Sequence, residues 1–518
     1  MNDTTTETAV PLTEPEPRLD ATPGGAARRW VALGVLALTA LLLSLDVSVL
    51  YLALPALAAD LGASTTEQLW MLDIYSFVLA GLLVTMGAVG DRIGRKRLLL
   101  IGAVAFGVAS AFAAYATSPG QLVFWRGVLG VAGATLMPST MGLIRTIFTD
   151  EKSMMTAIGV WYSCFMGGMA VGPLVGGLLL QHFWWGSAFL LGVPFMVLLV
   201  IVGHRVLPES ARAVGVPVDL TSAALSLGAI LPIIHGFKEI ARGGDTTTAG
   251  ASLVAGSTVA LLFLRRQRRI ENPLVDLSLF RSRAFSTALA VMLIGGVVMA
   301  GVSFLSTQWL QLVAGLEPLG AGLWMLPANL ALLAGSSSSA AIARRLGTGR
   351  TMAAGLGICA AGLALYTQIG PFAGLGLLVT GMCLASFGIM IPSTLTMSVM
   401  MQSAPPERAG SVASMSETSG EFGIAVGIAG LGSLATFVYR DELSPYAAEH
   451  TSSATAVALD SLAGAVQAAA GVPGAAGREL LAAAQGAFTT SLNVVAAVGA
   501  LLFVAVAVAA LRVLRAAD

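Results

Sequence analysis

Fourteen stretches of about 20 mostly apolar residues recur along the chain, each long enough to cross the roughly 30 Å hydrocarbon core of a bilayer as a helix. They centre near Leu41, Val78, Ala105, Gly133, Val171, Val197 and Leu227, and then near Val259, Val297, Leu332, Cys359, Leu384, Gly427 and Leu501. Inside lipid a segment of this length must satisfy its backbone hydrogen bonds within itself, which a helix does. The composition agrees: 56% of residues are hydrophobic, 11% are charged, and the mean hydropathy is +0.83. Soluble domains do not have this balance. The fold class predicted is all-α, a polytopic membrane protein with 14 transmembrane helices.

The formal net charge is zero, so nothing in it draws the chain to nucleic acid, and the placement of the charges carries the information. Arg28 and Arg29, the GDRIGRKR loop, Arg145, Lys152, Arg205, Arg212, the RRQRR run, Arg344, Arg345, Arg408, Arg512 and Arg515 all fall on one side of the apolar segments. By the positive-inside rule that side is cytoplasmic, and an even number of spans puts both termini there. Lys238, Arg242, Arg440 and Arg478 are read in loops on the opposite side, and Arg126 within a span. Abundant Ala, Gly and Arg beside only three lysines suggest a bacterium with GC-rich DNA, hence a bacterial cytoplasmic membrane.

Residues 1–27 are polar, acidic and proline-bearing, and read as a disordered cytoplasmic tail rather than a signal peptide, because the first apolar run is long enough to span. Residues 28–210 then form an N-terminal six-helix bundle, residues 211–282 two inserted helices with a basic linker, and residues 283–518 a C-terminal six-helix bundle. The basic loop from Gly90 to Arg97 has a degenerate counterpart, RRLGTGR, from Arg344 to Arg350, which fits two related halves. Within the second half, residues 439–486 are Ala-rich with Ser-Pro and Val-Pro-Gly breaks, and predict an external helical hairpin, more a connector than a gate. The cysteines, Cys164, Cys359 and Cys383, each lie in an apolar run, and the four histidines are scattered, so neither set shows metal or catalytic spacing. No cofactor, metal or enzymatic activity is expected.

Acids inside the apolar runs are the strongest functional signal. Asp46 lies in the run from Trp30 to Pro55, where an ionised carboxylate costs roughly 2.5–3.5 kcal/mol. Counted inward at 1.5 Å per residue, Asp46, Asp73 and Arg126 all fall in the outer half of the membrane, so a shared buried network can form. Glu417 and Glu421 are spaced by four and therefore share one helical face. Two acids so close resist joint ionisation in a dry cavity and suit a cationic ligand or reversible proton binding. Among the aromatics, Trp161, Trp309 and Trp324 are selected as cavity walls able to make cation–π contacts.

Four stretches together resemble the Major Facilitator Superfamily, specifically its 14-span drug:proton antiporter-2 branch and the quaternary-ammonium exporters within it. LDVSVLYLALP, Leu45 to Pro55, is similar to the branch's first-span signature, with Tyr51 in place of the usual asparagine, and EQLWMLDIYSFVLAG, Glu67 to Gly81, is similar to the subgroup and adds Asp73. GAVGDRIGRKRLL carries the loop motif between the second and third spans through Gly90, Asp91, Arg92, Gly94 and Arg95. The resemblance gives that loop a partner near Glu407 to Ser411. Arg126 with Gly130 resembles the branch's Arg-x-x-x-Gly motif, although Leu129 replaces a commonly polar residue. GMAVGPLVGG, with Gly168, Gly172, Pro173, Gly176 and Gly177, resembles the motif of exporters rather than importers.

The resemblance implies two bundles rocking about a central cavity, with SETSGEFG, which holds Glu417 and Glu421, in the substrate and proton pathway. Proton coupling is assigned to Asp46, Asp73, Arg126, Glu417 and Glu421, and substrate binding to Asp46, Tyr51, Trp161, Trp309, Trp324, Asn329, Glu417 and Glu421. The expected activity is proton-driven efflux of lipophilic cations such as quaternary ammonium compounds and dyes, by a monomer in the lipid bilayer. Some relatives that recognise dications have an acid in the tenth span, where this chain has Asn329 and none. Export of an endogenous antibiotic or metabolite is the competing reading within transport, and a non-transporting receptor the one outside it.

Overall fold

The computed structural model describes residues 25–209, 219–241, 244–270, 273, 279–370, 374–403 and 409–514. The expectations for the N-terminal tail before Gly25 and for Arg212, Arg242, Arg408 and Arg515 lie outside the described residues, as do those for the side chains from Glu407 to Ser411. Among the described residues there are seventeen α-helices and no strand. The first seven are α1 (Gly25–Leu61), α2 (Thr65–Ile93), α3 (Arg95–Ala114), α4 (Pro119–Ile147), α5 (Glu151–His182), α6 (Ser187–Leu190) and α7 (Gly192–Val206). Two more, α8 (Leu220–Ala241) and α9 (Thr246–Gln267), follow. The rest are α10 (Arg283–Gln308), α11 (Pro318–Leu346), α12 (Thr348–Tyr366), α13 (Leu375–Gln402), α14 (Ala409–Glu449), α15 (Ser453–Asp460), α16 (Leu462–Gly471) and α17 (Ala475–Leu514).

Fourteen helical segments are long and apolar enough to cross a membrane, with α6 and α7 forming one of them and a π-helical turn, Trp309–Val313, extending α10. This is an all-α polytopic membrane protein. Because the number of crossings is even, Gly25 and Leu514 lie on one face, called here the termini face; α15 and α16 lie on the other, the hairpin face. Polar caps mark the turns between spans. Ser64 and Glu67 form a reciprocal capping box at the start of α2, and Ser118, Asp150 and Asp245 cap α4, α5 and α9.

The helices α1 to α7 pack together as one bundle, and α10 to α14 with α17 as a second. The bundles meet along two seams, α2 against α14 and α5 against α11. The inserted pair α8 and α9 packs mainly on itself, while α8 also touches α2 and α14 where the first seam opens to the side. Small residues set the spacing in both bundles, because without a hydrophobic driving force between helices in lipid, close backbone approach supplies the attraction. A Cβ on Gly172 would stand 2.5 Å from Ser48 Cβ of α1, and one on Gly423 2.7 Å from the Leu293 carbonyl oxygen of α10.

The two basic loops share a backbone device. Gly94 (φ 104°) joins α2 to α3 and Gly347 (φ 83°) joins α11 to α12, and each N–H returns to the carbonyl four residues earlier, Gly90 and Ala343. A side chain is strained at such φ, so glycine allows one helix to end and the next to begin with hardly a linker. On the hairpin face, residues 439–486 are the distal end of α14, then α15, α16 and the start of α17. Tyr439 Oη donates to the Ala458 carbonyl at 2.8 Å, and the segment reaches the first bundle through Gln467 Nε2 to Ala59 O at 3.1 Å and Thr65 Oγ1 to Asp460 O.

One sequence expectation is overturned here. Lys238, read in a loop, lies inside α8 with 1% of its surface exposed, because α8 runs to Ala241 and packs that flank on α2.

Candidate functional site

The site is built where α1, α2 and α4 of the first bundle face α14 of the second. Arg126 on α4 is 1% exposed and holds three helices together: Nη1 stands 2.9 Å from Asp46 Oδ2 of α1, and Nε donates to the Met71 carbonyl of α2 at 3.0 Å. Its guanidinium also lies 4.6 Å from the centre of the Tyr75 ring, a cation–π distance. Gly130, one turn on, makes this approach sterically open, since a Cβ there would come within 2.7 Å of the Tyr75 carbonyl oxygen. The Arg-x-x-x-Gly spacing thus has a direct physical meaning: the arginine supplies the charge and the glycine the room for α2. Tyr75 itself was missed by sequence reasoning, although its position two residues after Asp73 was a usable signal.

A narrow cavity beside this pair is lined by Val47, Tyr51, Ser76, Arg126, Ile424 and Ile428, so Tyr51 shares a wall with Arg126 at the seam to α14. Asp73 does not join Arg126. Its Oδ2 is 2.7 Å from Lys238 Nζ of α8, with both side chains at most 1% exposed. The network read from the sequence therefore divides into two pairs, Asp46 with Arg126 and Asp73 with Lys238.

Glu417 and Glu421 lie one turn apart on α14 and are half-buried, and their interactions reach the first bundle. Glu421 lies within electrostatic reach of Tyr51 and Tyr75, and Glu417 within reach of Arg145 on α4 and Tyr162 on α5. Neither glutamate has a hydrogen-bond or ion-pair partner among the described residues. Charges and phenols thus form a line across the seam, from Asp46 and Arg126 through Tyr75 and Tyr51 to Glu421, Glu417 and Arg145. Its two ends differ. In the first bundle Asp46 is ion-paired with Arg126, whereas neither second-bundle glutamate is ion-paired or hydrogen-bonded among the described residues.

The structure scatters the three tryptophans rather than gathering them. Trp161 is buried on α5, stacked on Phe165 at 5.9 Å between centroids, and its indole N–H has no hydrogen-bond partner among the described residues. Trp309 is packed in the core of the second bundle, donating Nε1–H to Thr489 of α17 at 3.1 Å, which does not fit the cavity wall expected of it. Trp324 is 43% exposed on α11. Asn329 spends its amide donor on the seam, reaching the Ala170 carbonyl of α5 at 2.7 Å.

That seam explains the glycine motif of α5. Pro173 has no N–H to give the Met169 carbonyl, and Ser48 of α1 donates to it instead at 3.3 Å. Gly168, Gly172 and Gly176 lie against α1 at Ser44, Ser48 and Val49, while Gly177 lies against α11, where a Cβ would stand 2.6 Å from Leu319 Cα. Gly322 of α11 meets the Pro173 carbonyl in return. One helix thereby packs backbone to backbone on its own bundle and on the opposite one, closing the hairpin-face half of this seam.

On the termini face Arg95 donates to Asp91 at 2.8 Å, pairs with it at 2.7 Å, and donates to the Pro138 carbonyl of α4 at 3.2 Å. Its guanidinium lies directly over Gly142, where any side chain would displace it. Gly90 stands beside this knot, with Ser139 3.9 Å from the position of its missing Cβ, and Arg92 is exposed in the last turn of α2. The knot ties α2, α3 and α4 into one body.

Two bundles meeting at glycine-lined seams around a line of interior charges define a membrane transporter, not an enzyme. The chain belongs to the Major Facilitator Superfamily, whose family model matches residues 36–428. It is 40% identical to the multidrug efflux pump LfrA of Mycolicibacterium smegmatis over 93% of this chain and 95% of that one. It is 34% identical to the methyl viologen resistance protein SmvA of Salmonella typhimurium over 90% and 94%. Among solved structures it is similar to a bacterial homologue of the human lysosomal transporter Spinster in an inward-facing, unoccupied conformation, with a TM-score of 0.63, 16% identity and coverage of 94% and 98%. That last likeness concerns the fold.

Proposed function

We propose that this protein is a proton-coupled exporter of lipophilic organic cations, working as a monomer in the bacterial cytoplasmic membrane with the termini face toward the cytoplasm. The observation that carries this reading is that Glu417 and Glu421, which face the first bundle across the seam from the Asp46–Arg126 pair, have no hydrogen-bond or ion-pair partner among the described residues. An acid without a fixed counter-ion binds either a proton or a cationic guest, and the two exclude one another, so proton entry displaces cargo. Relatives described as a multidrug efflux pump and a methyl viologen resistance protein support cationic drugs as the cargo class. The basic residues on the termini face support its cytoplasmic orientation.

Glycine-lined contact at α5 and α11 supports an outward gate closed in this conformation, with the rocking of the two bundles opening it. For an assumed driving force near 150 mV, one proton supplies about 3.5 kcal/mol, enough for a cargo gradient of up to a few hundredfold. The test is cargo-dependent proton release from proteoliposomes with ethidium as cargo. The reading requires release in wild type and its loss in Glu417→Gln; transport at full speed with every ion gradient collapsed would remove it.

A further inference from the structure

The ion pair between Asp73 and Lys238 is unlike the other buried pair. Arg126 makes a hydrogen bond to Asp46 and a second to backbone, whereas Lys238 Nζ and both Asp73 carboxylate oxygens have no hydrogen-bond partner among the described residues beyond their 2.7 Å contact. A bare pair of this kind gains little over apolar packing, since the desolvation of both charges offsets their attraction. The ammonium also sits 3.9 Å from the centre of the Trp70 ring. An aromatic face and a carboxylate converging on one positive group is the chemistry that recognises an organic cation. Here the occupant is the chain's own lysine.

Its position suggests what the occupant does. Asp73 lies about 12 Å from the hairpin-face start of α2, while Asp46 lies about 22 Å from the hairpin-face end of α1. Counted along the helices, Asp73 therefore lies nearer the hairpin face than Asp46. Trp70 is half-buried, whereas the Asp73 and Lys238 side chains are at most 1% exposed. The lysine arrives on α8, an inserted helix outside both six-helix bundles. Elsewhere arginine is used almost throughout, and Lys238 is one of three lysines; a compact ammonium on a flexible stem can leave and return, where a planar guanidinium would be fixed by several bonds.

We infer that Trp70 and Asp73 form an exit-side site for organic monocations and that Lys238 is its tethered, displaceable occupant, which re-enters the site and expels the departing cargo. This rests on the proposed export of organic cations. The probe is tetraphenylphosphonium. In the full-length wild-type protein, amine-reactive labelling of Lys238, read by mass spectrometry against Lys96 and Lys152, rises about fivefold or more when the probe saturates the protein, because displacement frees the ammonium from its desolvated pair. In Lys238→Met the probe binds about tenfold more tightly, as an unpaired carboxylate is left for it, and the gain disappears in the double variant Asp73→Asn/Lys238→Met.

Lys238→Met binding as wild type or more weakly overturns the inference, because a merely structural lysine predicts that result. If that variant does not fold, wild-type labelling alone decides: a rise supports displacement, and no rise with the probe bound overturns it. Failure of the probe to bind wild type at all removes the export reading and this inference together. Binding without any rise in labelling removes this inference alone.

Discussion

Charge is held in two different ways on the two sides of the α2–α14 seam. In the first bundle Asp46 and Arg126 form a closed pair, 2.9 Å apart, braced by the Met71 carbonyl and the Tyr75 ring. In the second, Glu417 and Glu421 face the same seam with no hydrogen-bond or ion-pair partner among the described residues. A closed pair in a low-dielectric interior holds shape, since removing either member strands the other charge. An open acid contributes little to shape and remains available for chemistry. The difference teaches that buried carboxylates of one sequence do separate jobs, and that their partners decide which.

The largest expected effect comes from breaking the closed pair. Arg126→Ala leaves Asp46 buried without its cation and frees the Met71 carbonyl, a loss of about 3–5 kcal/mol that shows as a much lower melting temperature in detergent. Arg126→Met with Asp46→Asn recovers most of that stability and none of the transport. Opening the comparison from the other side, Glu417→Gln or Glu421→Gln changes stability by less than about 1 kcal/mol. Ethidium efflux in these variants falls by about tenfold or more, the loss expected when a group acts in the driven step itself. If Arg126→Ala is as stable as Glu417→Gln, the distinction between closed and open charge is wrong.

A smaller effect is expected at the second seam. Asn329→Ala removes one hydrogen bond between the bundles, about 1 kcal/mol, and favours the conformation open at the hairpin face. Gly320→Cys, on the same helix but with room for a side chain, would then react faster with an impermeant thiol reagent added from that side. The smallest effect concerns the foot of the inserted helices. Burial of the Asp219 carboxyl opposes its charge, but hydrogen bonds from Ser222 and the Arg266 guanidinium at 2.9 Å outweigh this and hold it below the usual carboxylate range. A depressed folded value means that its stabilisation is complete above the unfolded value, about pH 4, and is lost as pH falls through the lower folded one. Hydrogen exchange in α8 and α9 should accelerate only on such acidification, and Asp219→Asn should remove the dependence.

The spans, the loop glycine and the Arg126–Gly130 spacing were legible in the sequence because each follows from local physics: length against bilayer thickness, positive φ, and room for a neighbouring helix. Lys238 was not, since a lysine near the end of an apolar run reads as interfacial until the packing of α8 on α2 is known. Trp309 failed for a related reason. Its indole N–H found Thr489, 180 residues away, and no local pattern announces such a partner. The separation of Asp73 from Arg126 likewise depends on which helix face meets which neighbour, a tertiary property that depth alone does not carry.

The helix α14 is 41 residues long, about 60 Å, nearly twice the hydrocarbon thickness. A single uninterrupted rod therefore joins Glu417 and Glu421, deep within the seam, to Tyr439 and the cap beyond it. Whatever grips the protruding tip also grips the acids. In the proposed orientation, which puts the hairpin face outside, an inhibitor could stall turnover from the medium, holding the lever by its handle without entering the cell.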